Sequence, residues 1–221
     1  MDEEAIPIWK SEGIIHEGAE ATLTGGYWMG KSAVLKERRP RIYRHPDLDR
    51  RLTRQRLSSE ARILSKLSLK GFPCPSIIHI DDRKSSILMS KIKGHTLYDL
   101  LKSRQSGIPE LRKLGELIRR LHELGVSHGD LTTHNVMASP QGQLHLIDFG
   151  LSRQSPELEH LGLDIQVLNE CLGASHSTIK NGIESVCEGY LDADSTSKES
   201  EPATKVIDRF RKITERVRYH G

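Results

Sequence analysis

The chain has 221 residues, 36% of them apolar and 29% charged, with a formal net charge of +3. That length and composition suit one large domain or two small lobes around a shared cleft, and they exclude wholesale disorder. Three cysteines, Cys74, Cys171 and Cys187, are odd in number and far apart with no CxxC pair, which excludes a disulfide framework or a zinc ribbon and fits a reducing compartment.

Residues 12–36 read as strands with turns: Ile14-Ile15, a turn at Gly18, a hairpin signal at Gly25-Gly26, then the strand Ser32-Ala33-Val34-Leu35-Lys36. Pro40 and Pro46 mark a loop, and residues 47–69 are helical, with Leu52, Leu57, Ala61, Leu64 and Leu67 as the apolar positions. Gly71, Pro73 and Pro75 end that helix; residues 77–80 and 86–92 read as short strands, and a brief helix follows at 97–101. Pro109 opens the clearest helix, whose Leu111, Leu114, Leu117, Ile118, Leu121 and Leu124 recur every three or four residues until Gly125. Val136-Met137-Ala138 and Leu144-His145-Leu146-Ile147 flank Ser139-Pro140-Gln141-Gly142, the mark of a hairpin. Helices are expected around 163–172 and 179–191, a mobile loop over 192–203, and a last amphipathic helix with Val206, Phe210, Ile213 and Val217 on one face. The order is α+β: a β-rich lobe with one long helix over 1–92, then a mainly helical lobe over 93–221. The linker falls near residues 91–95. The acidic start, Met1-Asp2-Glu3-Glu4, is unlike a signal or transit peptide, and no apolar run reaches bilayer length. A cytoplasmic protein is expected, with the nucleus open to a eukaryotic version.

The chemistry concentrates in His128-Gly129-Asp130-Leu131-Thr132-Thr133-His134-Asn135 and, downstream, Ile147-Asp148-Phe149-Gly150. An Asp five residues before an Asn, followed by DFG, is the kinase arrangement. The first Asp takes the acceptor's hydroxyl proton; the Asn and the second Asp hold Mg²⁺ on the phosphates of ATP. Phosphoryl transfer spreads negative charge that metals and donors must offset, and carboxylate and amide oxygens suit Mg²⁺. Lys36, at the end of an apolar strand, resembles the VAIK lysine, and Glu60 is its expected partner; the plainer reading makes Lys36 the start of a basic run and Glu60 a surface acid. Between Lys36 and Arg56 nine Lys/Arg stand against three acids, either a solvated helix face or a surface near nucleotide or RNA phosphates. The nucleotide cover has a single glycine, in Glu17-Gly18-Ala19-Glu20-Ala21, where backbone amides of Gly18, Ala19 and Glu20 approach phosphate or an ordinary hairpin turns.

With Gly18-Ala19-Glu20-Ala21, Tyr43-Arg44-His45-Pro46, Leu48-Asp49, Glu60-Ala61-Arg62, the two loops above, Leu163-Asp164 and Ser175-His176, the chain resembles the small atypical kinase subunit of the KEOPS (EKC) complex over about residues 14–218. The resemblance implies a minimal bilobal kinase fold that acts as an ATPase or Ser/Thr kinase, using ATP and Mg²⁺. It supports threonylcarbamoyladenosine formation beside the tRNA anticodon, the transfer itself belonging to a partner. It implies Asp130 as the catalytic residue, Asn135 and Asp148 as metal ligands, and Gly18, Ala19, Glu20, Lys36 and Glu60 at the nucleotide. It also implies contact with the transferase subunit through the C-terminal lobe, with a small accessory subunit through the N-terminal lobe, and with tRNA through the complex. Gly129 stands where ordinary kinases have the Arg of HRD, no APE follows, and thirteen residues separate Gly150 from Asp164, which argues against control by loop phosphorylation. The ending Arg216-Val217-Arg218-Tyr219-His220-Gly221 is basic but lacks the family's compact Arg/Gly/Lys run, so tail contacts stay open.

Other readings remain beside this one: a small-molecule phosphotransferase, which usually needs a larger helical insert; a RIO-type ribosome-assembly kinase, which fits the Gly18 and Tyr43 stretches poorly; and a catalytically silent scaffold. His122-Glu123 has Val126 where a zinc-protease helix needs His, and His128 reads as a hydrogen-bonding residue that shapes its loop. Ser152, Ser155, Ser175 and Ser177 are candidate autophosphorylation sites.

Overall fold

The computed structural model describes residues 8–18, 21–39, 45–105, 107–195 and 200–220. The chain divides into two units, Met1–Leu69 with Cys74–Ile92, and Lys70–Pro73 with Lys93–Gly221.

The first unit is an antiparallel sheet of β1 (Trp9–Glu17), β2 (Ala21–Trp28), β3 (Lys31–Arg38), β4 (Ile77–Asp81) and β5 (Ser86–Ser90), in the order β1-β2-β3-β5-β4, with α1 (Pro46–Leu69) against it. Acids Asp47 and Asp49 in the first turn of α1 complement the positive end of its dipole. Its Leu57 and Ala61 pack on Ile87 and Met89, with Val34 and Ile77 at the margin.

One sequence expectation fails here. Gly25-Gly26 is no hairpin turn but the buried middle of β2, with Gly26 opposite Ser11 on one side and Ala33 on the other. The turn is Met29-Gly30, both at positive φ between the paired Trp28 and Lys31, the type I′ geometry that suits strand twist. Gly26 is small because neighbours crowd it: a Cβ there would lie 2.3 Å from Lys10 O and 2.8 Å from the Trp9 ring. Gly26→Ala is therefore expected to cost about 1–3 kcal/mol, the usual toll of overpacking. Trp9 touches the site, so a denaturant titration followed by tryptophan fluorescence checks it.

The second unit runs β6 (His95–Thr96), α2 (Leu97–Lys102), α3 (Ile108–Glu123), β7 (Val126–Ser127), a 3-10 turn (Thr133–Asn135), β8 (Val136–Ala138), β9 (Leu144–Leu146), β10 (Arg153–Gln154), α4 (Leu158–Ser175), α5 (Gly182–Asp192) and α6 (Ala203–His220). Thr96 caps α2 by accepting from Asp99 N, and Glu110 reaches back to Gly107 N at the start of α3. The α3 stripe of Leu111, Leu114, Ile118 and Leu121 is fully buried. β6, β8 and β9 form one small sheet, and β7 pairs with β10.

Val206, Phe210 and Ile213 of α6 are buried, and Thr214 Oγ1 donates to Gln166 Oε1 on α4, so the stripe is core; the Val217 side chain lies outside the described residues. The expected mobile loop over 192–203 is tied at both described flanks. The buried Arg119 donates to Asp194 Oδ1 (2.6 Å), Ser200 Oγ (3.1 Å) and Glu201 O (2.8 Å), and Ser195 donates to Glu123. A buried guanidinium needs such partners, and polar composition alone does not reveal that the segment supplies them. Among the described residues no helix is long and apolar enough to cross a membrane.

Candidate functional site

In the first unit, alternation along β3 sends Lys36 and Arg38 to the same side of the sheet. Lys36 is buried, the Arg38 side chain is nearly so, and both meet Glu60, which shares a helix face with Leu57, Ala61 and Leu64 and is 1% exposed. Lys36 Nζ lies 2.6 Å from Glu60 Oε1, and Arg38 pairs with Oε2. The plainer reading of Glu60 as a surface acid is thus excluded. Arg38 is a member that the sequence reading missed, although the two-residue strand period signals it. A carboxylate that fixes the ammonium of a flexible lysine gives it the defined position a phosphate contact requires.

At the β1–β2 turn, Gly18 N donates to Ala21 O (3.0 Å), and Arg39 ties the turn's ends through Glu17 and through Thr22 Oγ1 (2.8 Å). The Gly18 amide is thereby spent within the turn. Ala19 and Glu20, like Tyr43 and Arg44, lie outside the described residues.

In the second unit the catalytic-type loop leaves β7 and the DFG segment returns along β10. Asn135 Nδ2 donates to Asp130 O (2.8 Å) and to Asp130 Oδ2 (3.0 Å), closing the loop on itself. The β8–β9 hairpin brings the downstream segment back, and Ile147 N donates to Asn135 O (3.0 Å), one residue before Asp148. Asp148 is exposed and sits at φ 61°, a left-handed conformation that costs most L-residues about 1–2 kcal/mol and that Asp tolerates by local hydrogen bonding. Its Oδ1 accepts from Gly150 N (3.2 Å).

Because the Asn135 amide nitrogen is committed to Asp130, its carbonyl oxygen is the ligand atom it offers. With the Asp148 carboxylate that makes two hard oxygen donors. Mg²⁺ takes one or two protein carboxylates and completes its shell with phosphates and waters. The residues fit Mg²⁺ carried by a nucleotide.

Beneath the loop sits a residue whose role the sequence reading did not assign. Asp164 of α4 is 2% exposed, and it accepts from His128 N (2.6 Å) and Gly129 N (2.7 Å), with His122 Nε2 at 3.2 Å. Burial opposes its charge most, yet the His122 hydrogen bond, the His122 and His128 rings and the Gly129 N–H outweigh it and hold the carboxyl below its usual range. His122 Nδ1 in turn meets Tyr190 OH at 2.8 Å. The apolar pattern that marks a helix around 163–172 says nothing of Asp164, because a buried acid has no periodic signature.

Gly129 has a steric reason to be glycine. It lies at φ 80°, and a Cβ there would fall 2.3 Å from Leu151 O, so the Arg of ordinary kinases has no room. His128 is fully buried, its Nε2 3.1 Å from Ile147 O and its ring against Phe149, which is the shaping role expected of it. Ser152 is buried and donates to His128 O (2.8 Å), which removes it from the candidate phosphorylation sites; Ser155, Ser175 and Ser177 are exposed.

The RIO domain model matches residues 30–178. The chain is 34% identical over 209 residues to the EKC/KEOPS complex subunit Tp53rkb of Mus musculus, covering 90% of this chain and 84% of that protein. It is 32% identical over 189 residues to the KEOPS complex subunit Bud32 of Pyrococcus abyssi, covering 84% of each. A probable bifunctional tRNA threonylcarbamoyladenosine biosynthesis protein of Methanobrevibacter smithii is 32% identical over 94% of this chain, which spans only 37% of that relative. Among solved structures, the ADP/Mg²⁺-phosphoaspartate complex of the Rio2 kinase from Chaetomium thermophilum superposes with a TM-score of 0.62 at 20% identity, over 94% of this chain and 72% of that one. That likeness speaks for the fold, which is α+β and protein-kinase-like. Since the RIO match and the full-length relatives fall on the same residues that build the Asp130 and Asp148 loops, the chain belongs to the RIO-domain family and, within it, to the Bud32-type subunits of KEOPS.

Proposed function

We propose that this protein is an ATP- and Mg²⁺-dependent atypical Ser/Thr kinase and ATPase that serves a KEOPS-type complex in making threonylcarbamoyladenosine in tRNA. The observation that carries the proposal is the Asp130–Asn135–Asp148 set, closed by hydrogen bonds and delivered by one hairpin. Relatives that match most of the chain are KEOPS subunits, which supports the setting.

Asp130, half-buried with one carboxylate oxygen held by Asn135, accepts the proton of the attacking hydroxyl or water as the bond to phosphorus forms and ADP departs. Asn135 and Asp148 supply the oxygens that would hold Mg²⁺, whose charge would offset that developing on the phosphates. Lys36, fixed by Glu60, contacts the nucleotide phosphates, with Gly18, Ala19 and Glu20 in the covering turn. The catalytic and metal residues belong to the lobe 93–221, and the lysine and its turn to the lobe 1–92. The transferase partner docks on the C-terminal lobe, a small accessory subunit on the N-terminal lobe, and tRNA is reached through the assembly. The working compartment is the cytoplasm, with the nucleus in eukaryotes.

The test is ATP turnover with Mg²⁺, by the purified chain alone and then with a threonylcarbamoyl-transferase partner and tRNA. Slow turnover alone and faster turnover in the assembly are expected. No turnover under any condition would assign the intact motif to a scaffold.

A further inference from the structure

The 3-10 turn Thr133–Asn135 has about three residues per turn, so its three side chains leave the axis in three directions. Asn135 goes to Asp130. The other two end in a cluster that the reaction as described does not use. Thr133 is fully buried, and its Oγ1 lies 3.1 Å from Nε2 of His176, the residue that caps the C-terminal end of α4. Cys171 Sγ, one turn earlier on α4, is 3.4 Å from the same hydroxyl. His134 stacks on Tyr98 of α2, with ring centroids 3.8 Å apart and planes 22° apart. Tyr98 also presents its ring to His176, edge on at 5.1 Å, and Lys102 holds the Tyr98 hydroxyl at 3.0 Å. His176 is 4% exposed, and burial, then the nearby His134 and Lys102, lower its pKa. A neutral imidazole offers Thr133 either a donor or an acceptor at Nε2.

We propose that His176 is a positioning residue for Asn135: by holding Thr133 from α4, with Tyr98 bracing His134 from α2, it fixes the turn that aims the Asn135 amide nitrogen at Asp130 and so leaves its oxygen to ligate a metal. The proposal rests on the nucleotide reading for its consequence and not for its geometry. Two of three spokes of a short turn are clamped by neighbouring helices, so the third keeps one orientation without a ligand. Groups that orient metal ligands without touching the metal govern affinity in this way.

The test reads both halves separately. In the ligand-free protein, the Asn135 side-chain NH₂ donates two hydrogen bonds to Asp130, so its ¹⁵N–¹H signals are expected to be dispersed and slow to exchange. His176→Leu and Thr133→Val are each expected to move those signals to free-amide positions and to weaken Mg·ADP binding, measured by calorimetry, by about 10-fold. His176→Gln, which replaces Nε2 with an amide nitrogen, and Thr133→Ser are expected to keep both close to wild type. The His176→Leu/Thr133→Val double variant is expected to lose no more than either single one, because both remove one bond.

Unchanged Asn135 signals in both apolar variants, provided they melt near wild type, would overturn the proposal. So would equal damage by the conservative and the apolar variants, since that marks a merely structural role. Lost signals in variants of a wild type that itself binds no Mg·ADP would support the positioning role and sink the nucleotide reading instead.

Discussion

Replacing Asp148 with alanine is expected to lower Mg²⁺-dependent ATP turnover by about 10²–10³-fold, the scale on which losing one preorganised group at a site of developing charge is felt. The carboxylate is exposed and supported locally by Gly150 N, so the effect on folding is small beside the effect on rate. Alanine at φ 61° loses the side-chain support that Asp uses there, a change of about 1 kcal/mol. Asp148→Asn separates shape from charge: it keeps an oxygen for Gly150 N and loses the anion. Its turnover should fall nearly as far, with a higher Mg²⁺ requirement. Asp130→Asn should lower turnover while leaving the Mg²⁺ requirement near that of wild type, because an amide keeps an acceptor for Asn135 but takes no proton. Turnover in Asp148→Ala within threefold of wild type would remove Asp148 from the metal.

The parts of this molecule legible in its sequence are those with a period or a fixed spacing. The α3 stripe, the Ser139–Gly142 turn and the five-residue step from Asp130 to Asn135 each repeat a local rule, and each appears in the fold. The Lys36–Glu60 pair was within reach because strand alternation and the face of α1 bring both inward. What escaped depends on contacts between segments distant in the chain. Gly25-Gly26 looks like a turn, and only the closeness of Lys10 and Trp9 shows why glycine is needed inside a strand. The helix α4 begins at Leu158, ahead of the expected 163, because it is covered on several sides and its apolar pattern is diffuse; Leu161 is already buried. Arg119, Asp164 and His176 are polar residues at core positions. Their partners at Asp194, Gly129 and Thr133 lie 35 or more residues away, so no window along the chain contains both ends.

Asp164→Leu is the substitution expected to cost most in stability. Removing the carboxylate leaves His128 N and Gly129 N in a buried place without their acceptor, and takes a partner from the His122 ring. A buried donor left unsatisfied costs about 1–3 kcal/mol, and breaking a buried charged network about 3–5 kcal/mol, a large share of the roughly 5–15 kcal/mol that a protein of ordinary stability holds. Asp164→Asn should lie between, since its oxygen still accepts one N–H while its NH₂ faces the other. Far-UV circular dichroism reads the helices of both units, most of which lie in the second, and the fluorescence of Trp9 and Trp28, both in the first, reports that unit separately. The pH dependence follows from the lowered pKa of Asp164. Its folded value lies below the unfolded 3.8, so the carboxylate's contribution is fully present above that value and is lost as pH falls through the folded one. The stability gap between wild type and Asp164→Leu should therefore be constant near neutrality and shrink below about pH 4. A gap that stays constant into strong acid would mean that Asp164 acts by packing and not as a charged acceptor for the loop that carries Asp130.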